Sequence, residues 1–149
     1  MRALLQVVDN AKVSVDGVVE SQVDQALLIY LGISETDTHE LLEKFGKKAA
    51  TLRVFPDESD RLMYSCLDLE ASILLIPNFT LVSEARKGRR PTFFKAAETA
   101  IAEDLFHRLV TSLALLTPSV ETGVFGADMT VEATVRGPLN LVIDDRDLI

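Results

Sequence analysis

The order of periodicities along the chain constrains its fold more than any other feature. Strand-like segments occupy both ends, and two amphipathic helical segments lie between them. Residues 2–8 are β-rich, and Lys12-Val-Ser-Val15 alternates cleanly. Asp16-Gly17 is a tight-turn dipeptide and Val18-Val19 resumes the apolar pattern, which together predict a hairpin. Ala26 to Leu31 is a continuous apolar run, read as a buried strand ending at Gly32. Near the other end, Met129–Val135 alternates strictly and Leu139–Ile143 is apolar, with Gly137-Pro138 between them as a turn. A regular βαβα order would predict a doubly wound sheet. Strands alone at both ends, with two main helices between, predict a mixed α+β fold.

The middle of the chain supplies the helices. Ser34 and Asp37 fit a capping box, with Thr36 as the other candidate cap. Leu41, Leu42, Phe45 and Ala49 then recur at helical spacing, opposite Glu40, Glu43, Lys44 and Lys47. Leu52-Arg-Val-Phe55 reads as a short strand stopped by Pro56-Asp57, and Met63 to Leu69 as another. Cys66, with Leu67 and Leu69 nearby, reads as a small buried strand residue rather than a reactive thiol. Ile73 to Ile76 is a buried strand interrupted by Pro77, whose missing amide hydrogen must end the ladder, bulge it or place it on an edge. Pro91 suits the first turn of a second helix. Ile101, Leu105, Leu109, Ser112 and Leu116 trace its stripe, with Phe106, Val110 and Leu113 beside it, and the helix ends before Pro118. No repeat or internal boundary is visible, so residues 1–149 read as one domain.

Several classes of function are hard to place on this chain. Among its 149 residues are one cysteine and two histidines. One cysteine excludes an internal disulfide framework and fits a reducing cytoplasm. His39 and His107 have no ligand at metal-binding spacing, so neither a metal nor a cofactor is expected. No apolar run approaches the roughly 20 residues that cross a bilayer, and Met1–Asp9 is too short an apolar stretch for a signal peptide. No phosphate-binding loop, dinucleotide-binding glycine pattern or nucleophile elbow is present. Gly123-Val-Phe-Gly126 is either a backbone clamp or a plain turn before a strand. What stands out is Arg86-Lys87-Gly88-Arg89-Arg90, four cations within a chain of net charge -8. A chain this acidic repels a polyanion at long range. The block is either a solvated loop or the place where a phosphate backbone touches. If there is chemistry here, backbone groups and the substrate carry it. That suits an activated ester, which needs positioning, an oxyanion donor and an oriented water.

Blocks in order along nearly the whole chain resemble the D-aminoacyl-tRNA deacylases: Arg2-Ala3 with Gln6-Val7, Val13-Ser-Val-Asp16-Gly17, Leu52-Arg-Val-Phe55, Asn78-Phe79-Thr80-Leu81, and Arg86 through Phe93. The most specific is Val120-Glu-Thr-Gly-Val-Phe-Gly-Ala-Asp-Met129, ahead of Gly137-Pro138. The resemblance implies a small α+β homodimer with a mixed, barrel-like sheet that hydrolyses the ester between a wrongly attached amino acid and the tRNA 3′ end, with tRNA rather than DNA or a membrane as partner. It implies that Gly137-Pro138 adopts a cis bond, accessible at modest cost only before proline. The pair would reach into the partner subunit's pocket, hold the substrate α-amino group by its carbonyl oxygens and exclude an L side chain. Asn78, Phe79 and Thr80 fall on the family's active-site segment, with their backbone amides as oxyanion donors and the terminal 2′-hydroxyl assisting hydrolysis. Phe79 either walls the pocket or packs in the core. Thr80 either hydrogen-bonds the ester or is an ordinary threonine. Met129 matches a pocket-lining methionine, and Arg86, Lys87, Arg89 and Arg90 match contacts to the acceptor stem.

The departures from the family pattern gather at the pocket. Pro77-Asn78 stands where Ser-Gln is usual, and Asn140 stands for the threonine after Gly-Pro. Val7 replaces an arginine that braces the dipeptide, and Asp60-Arg-Leu-Met63 replaces Gly-Lys-Met-Asn. The proline at position 77 resembles the animal tRNA deacylases, a sister group that removes L-alanine, although Phe79 does not fit that group. The alternatives are therefore an L-alanyl-tRNA deacylase or an inactive homologue that binds tRNA.

Overall fold

The computed structural model describes residues 1–86 and 88–148. In chain order the elements are β1 (Arg2–Val15), β2 (Val18–Val23), β3 (Ala26–Gly32), α1 (His39–Thr51), β4 (Phe55–Pro56), β5 (Leu62–Tyr64), α2 (Cys66–Leu69) and β6 (Ser72–Pro77). A 3₁₀ turn (Phe79–Val82) follows, then α3 (Thr99–Ala114), β7 (Val120–Thr122), β8 (Met129–Asp144) and a closing 3₁₀ turn (Asp145–Leu148). No helix among the described residues is long and apolar enough to cross a membrane.

The predicted hairpin forms where expected. Asp16 and Gly17 take φ of 49° and 78°, the left-handed pair that a two-residue hairpin turn requires. β1 runs antiparallel to both β2 and β3 on one side and to β8 on the other. The sheet continues through parallel pairings of β3 with β6 and of β6 with β7. The Ser21 hydroxyl of β2 donates to the Thr122 carbonyl of β7, drawing the two ends of this path together into a nearly closed barrel.

The sheet's two faces hold two apolar clusters. Leu5, Val7, Ile29 and Ile73 face α1 and α3, against Phe45, Phe106 and Leu109. Val8, Val13, Leu28 and Ile76 line the inside of the curl. β3 is central and nearly wholly buried, which is why it reads as unbroken apolar sequence. In β1, Val7 and Val8 are adjacent and both buried. The ladder with β8 slips on either side of Val8, and the extra residue transfers Ala11 and Val13 to the inner face.

Several local expectations are corrected. The first helix is capped by Thr38, whose hydroxyl accepts from Leu41 N at 3.3 Å, not by Ser34 or Thr36. Asp37 is committed elsewhere: its carboxylate accepts from Ser34 N and from the Met1 ammonium, both at 2.6 Å. Of the expected 52–55 strand only Phe55 enters a ladder, and Pro56, expected to stop it, is the second ladder residue. The expected 63–69 strand splits at Ser65, which forms a capping box with Asp68 and starts α2. Cys66 is buried as expected, but in that helical turn. Its thiol pKa is pushed up to about 12 by burial.

Pro91 does not open a helix. Residues 93–97 instead lie along 33–35, with Ala97 N donating to Ile33 O and Glu35 N to Lys95 O, both at 3.0 Å. α3 starts only at Thr99. Its buried stripe is Ala102, Leu105, Phe106, Leu109 and Leu113, while Ile101 is 56 % exposed. Gly137-Pro138 is not a turn between strands either. It lies within the single strand β8, and its peptide bond is cis.

Candidate active site

The site begins where β3 ends. Gly32 has no side chain, and a Cβ there would stand 2.9 Å from the Asn78 carbonyl oxygen. This close approach seats the residue 78–82 turn on the end of the sheet. Asn78 N donates to Leu31 O at 2.8 Å, one step beyond the last β3–β6 pair at Pro77. Pro77 thus ends its strand, and the chain turns out of the sheet. The Asn78 side-chain oxygen caps the turn, accepting from Thr80 N at 3.2 Å and from the Thr80 hydroxyl.

These bonds narrow the candidate oxyanion donors. The amides of Asn78 and Thr80 are both committed, and so is the Thr80 proton. Among the described residues, the Phe79 amide has no hydrogen-bond partner. Phe79 is 58 % exposed, so it is not a core residue. It meets Phe93 edge to face, with ring centroids 5.1 Å apart and planes at 72°.

Beside this pair lies a cleft of about 570 Å³. Pro77, Asn78 and Phe79 form one wall, and Leu31 and Ile33 of the sheet contribute a second. Phe93, Ala96 and Ala97 come from the strap laid along residues 33–35. Glu98, Thr99 and Ala102 come from the start of α3, and Phe125 and Gly126 from the loop before β8. No serine, cysteine or histidine is among these lining residues.

Other residues singled out in the sequence lie outside this cleft. Met129 packs into the inner cluster, and its sulfur accepts from Val124 N at 3.3 Å. Asn140 accepts at its side-chain oxygen from Gln6 Nε2 at 2.6 Å. Val7 is buried in the helix-facing core. Gly137 and Pro138 are exposed on β8 and do not line their own chain's cleft.

Arg86, Arg89 and Arg90 are exposed on a loop closed at its base by paired backbone bonds between Glu84 and Thr92, both 2.9 Å. The Lys95 ammonium pairs with Glu84 at that base and holds its carboxyl below the usual range. Lys87 lies outside the described residues.

The sequence profile of the D-Tyr-tRNA(Tyr) deacylase family matches residues 4–144. The chain belongs to this family. It is 39 % identical over 148 residues to the D-aminoacyl-tRNA deacylase of Aquifex aeolicus, covering 99 % of this chain and 100 % of that protein. Over 144 residues it is 40 % identical to the D-aminoacyl-tRNA deacylase of Acaryochloris marina, covering 97 % and 95 % of the two chains. A solved structure described as a c-Myc DNA Unwinding Element Binding Protein superposes with a TM-score of 0.91 at 33 % identity, over 97 % of this chain and 98 % of that one. A second, described as a probable eukaryotic D-amino acid tRNA deacylase, shares the fold with a TM-score of 0.81 at 18 % identity, over 95 % and 97 %.

Within this deacylase fold, several parts of the cleft escaped the sequence reading. Glu98 and Thr99 reach the cleft only because α3 starts eight residues after Pro91. Ala102 carries no chemical signal by itself. Away from the cleft, the Arg136 fork onto Asp9 joins residues 127 apart in sequence, and no local pattern marks it. Phe125 did carry a signal, as the aromatic residue of the Val120–Met129 block.

Proposed function

We propose a route for the deacylation of D-aminoacyl-tRNA, the hydrolysis that family membership assigns to this chain. The aminoacylated 3′ end of tRNA enters the cleft beside Phe79, and the apolar walls exclude bulk water. The cleft supports this reading: Phe79, whose amide is unpartnered among the described residues, is one of its lining residues, and no serine, cysteine or histidine lines it. A water oxygen attacks the ester carbonyl carbon, and the carbonyl π electrons move onto its oxygen. The Phe79 N–H donates to that oxyanion, a contribution on the order of 10²–10³ in rate for one donor. Collapse breaks the bond to the ribose 3′-oxygen. The neighbouring 2′-hydroxyl passes the proton from the attacking water to this leaving oxygen. Asn78 and Thr80 hold the Phe79 turn in place, while Pro77 shapes the adjoining wall.

Chirality is then decided by a second copy of the chain. Gly137 and Pro138 of one subunit enter the cleft of the other, where their carbonyl oxygens hold the α-amino group and crowd out an L side chain. Met129 and Asn140 act from beneath this contact rather than from the cleft wall. Arg86, Lys87, Arg89 and Arg90 meet the acceptor stem, so the nucleic acid served is tRNA and not DNA. The enzyme works as a cytoplasmic homodimer. Residues 1–149 form one deacylase-like domain, since both apolar clusters share one sheet.

The test measures release of D-tyrosine from D-tyrosyl-tRNA beside release of L-tyrosine from the L form. Faster release of the D form is expected. Equal or absent release, or preferential release from L-alanyl-tRNA, sinks the chirality reading. Mixing Gly137→Ala chains with Phe79→Pro chains, which lack the N–H at position 79, tests the shared site. Exchange of subunits is expected to restore activity that neither variant has alone, and no restoration would rule out a cross-subunit contact.

A further inference from the structure

β1 and β8 pair residue for residue from Arg2/Asp144 to Gln6/Asn140, and pairing resumes at Val8/Val135. Between those points β1 contributes Val7 alone, while β8 contributes Arg136, Gly137, Pro138 and Leu139. The four residues bow out of the ladder. Gly137 has a φ of +112°, and a Cβ on it would stand 2.7 Å from Leu139 N. Neither Gly137 nor Pro138 has a polar side chain with which to hold the bow in place.

Each base of the bow is closed by side chains across the two strands. At the exit, Gln6 Nε2 donates to Asn140 Oδ1 at 2.6 Å. At the entrance, the Arg136 guanidinium forks onto Asp9, Nε to Oδ1 at 2.7 Å and Nη2 to Oδ2 at 3.3 Å. Asp9 belongs to the irregular part of β1, since the ladder slips between Val8 and Asn10. The two partners therefore come from opposed breaks in the same pair of strands.

We infer that the Arg136–Asp9 fork and the Gln6–Asn140 hydrogen bond are positioning groups that hold the Gly137-Pro138 bow from its two bases, setting its reach and orientation toward a substrate. This rests on the reading that the bow completes a second copy's cleft. The Arg136 and Asp9 side chains are 57 % and 38 % exposed, and exposed pairs contribute little to folding. A planar fork does fix direction, which a lysine ammonium at the same place cannot. Asp9 also cancels the arginine's charge beside carbonyl oxygens that receive a cationic amino group.

The experiment compares Arg136→Ala, Arg136→Lys, Asp9→Ala, the exchanged pair Asp9→Arg/Arg136→Asp, and Asn140→Ala. Each is assayed for kcat and KM on D- and L-tyrosyl-tRNA and for melting temperature. Arg136→Ala and Asp9→Ala are expected to lower kcat/KM for the D substrate by about ten- to a hundredfold, as small misplacements near chemistry do. The D/L ratio should narrow while the melting temperature holds. Arg136→Lys should recover little, the exchanged pair most of the loss, and Asn140→Ala should narrow the ratio in the same sense. Wild-type rates and ratios in the single variants would overturn the inference. So would losses that only track lowered melting temperatures, which would make the clasp structural. Gly137→Ala, run alongside, separates the two levels. If it is as active as the parent, the bow has no role and both readings fall. If it is inactive while Arg136→Ala is not, the clasp alone is wrong.

Discussion

At the scale of single residues, the site depends on small groups whose partners are close in space. Asn78 is one methylene shorter than the glutamine of the family pattern, and its oxygen reaches back onto the Thr80 amide and hydroxyl. That contact is local, two residues along the chain, and the residue type is enough to expect it. The Phe79 alternative between pocket and core was open in the sequence, because an aromatic side chain serves either place. Only the turn beneath Phe79 decided it. Asp144 shows the same limit. The Arg146 guanidinium donates to its carboxylate and holds its pKa down to about 2. A carboxyl depressed in the folded state contributes stability above its unfolded value near 3.9, lost as pH falls through the folded value. The melting-temperature difference between the parent and Arg146→Ala should therefore be constant at neutral pH and shrink between about pH 4 and pH 2. A difference independent of pH over that window would show that the ion pair is not its source.

At the scale of elements, the long strands follow from periodicity, while the short strands and the helix boundaries do not. Ala26–Leu31 of β3 and Ile73–Ile76 of β6 are apolar runs because both faces are covered, and β1 to β2 turns at a dipeptide made for it. α3 does not start at Pro91, whose fixed φ suits a first helical turn but does not require one. The segment after it found backbone partners in residues 33–35 instead, a long-range contact no local rule contains. That strap matters, since it carries Phe93 and Ala97 into the cleft. The seat of the opposite wall is Gly32. In Gly32→Ala the new methyl meets the Asn78 carbonyl oxygen at 2.9 Å, backbone that can move only with the whole turn. The expected cost is about 1–3 kcal/mol in urea unfolding, with a larger proportional loss of D-tyrosyl-tRNA hydrolysis than of stability. Full activity in a folded Gly32→Ala protein would mean that the turn's position is not critical.

At the scale of the whole molecule, charge and shape act on a large substrate. The loop cations stand on a chain of net charge -8, so the proposed contact of this loop with RNA acts at short range and is screened steeply by salt. Reversing Arg89 and Arg90 to glutamate should weaken tRNA binding and flatten its salt dependence, by about 0.7–0.9 in log–log slope for each phosphate no longer neutralised. An unchanged slope in a binding titration from low to moderate salt would remove the loop from the interface.

Periodicity, turn dipeptides and motif order were enough to determine an α+β chain of this family, with its central strands and the residues from which a site is built. These signals survive in one dimension because each reports on neighbours within a few positions. The three-dimensional fold alone decided that Thr38 caps α1, that Glu98 faces the cleft and that Met129 and Asn140 do not. It also decided that Asp9 meets Arg136 at the base of the Gly137-Pro138 bow. Those outcomes depend on which distant backbone atoms compete for the same hydrogen bonds and volume, and that competition exists only once the strands have paired.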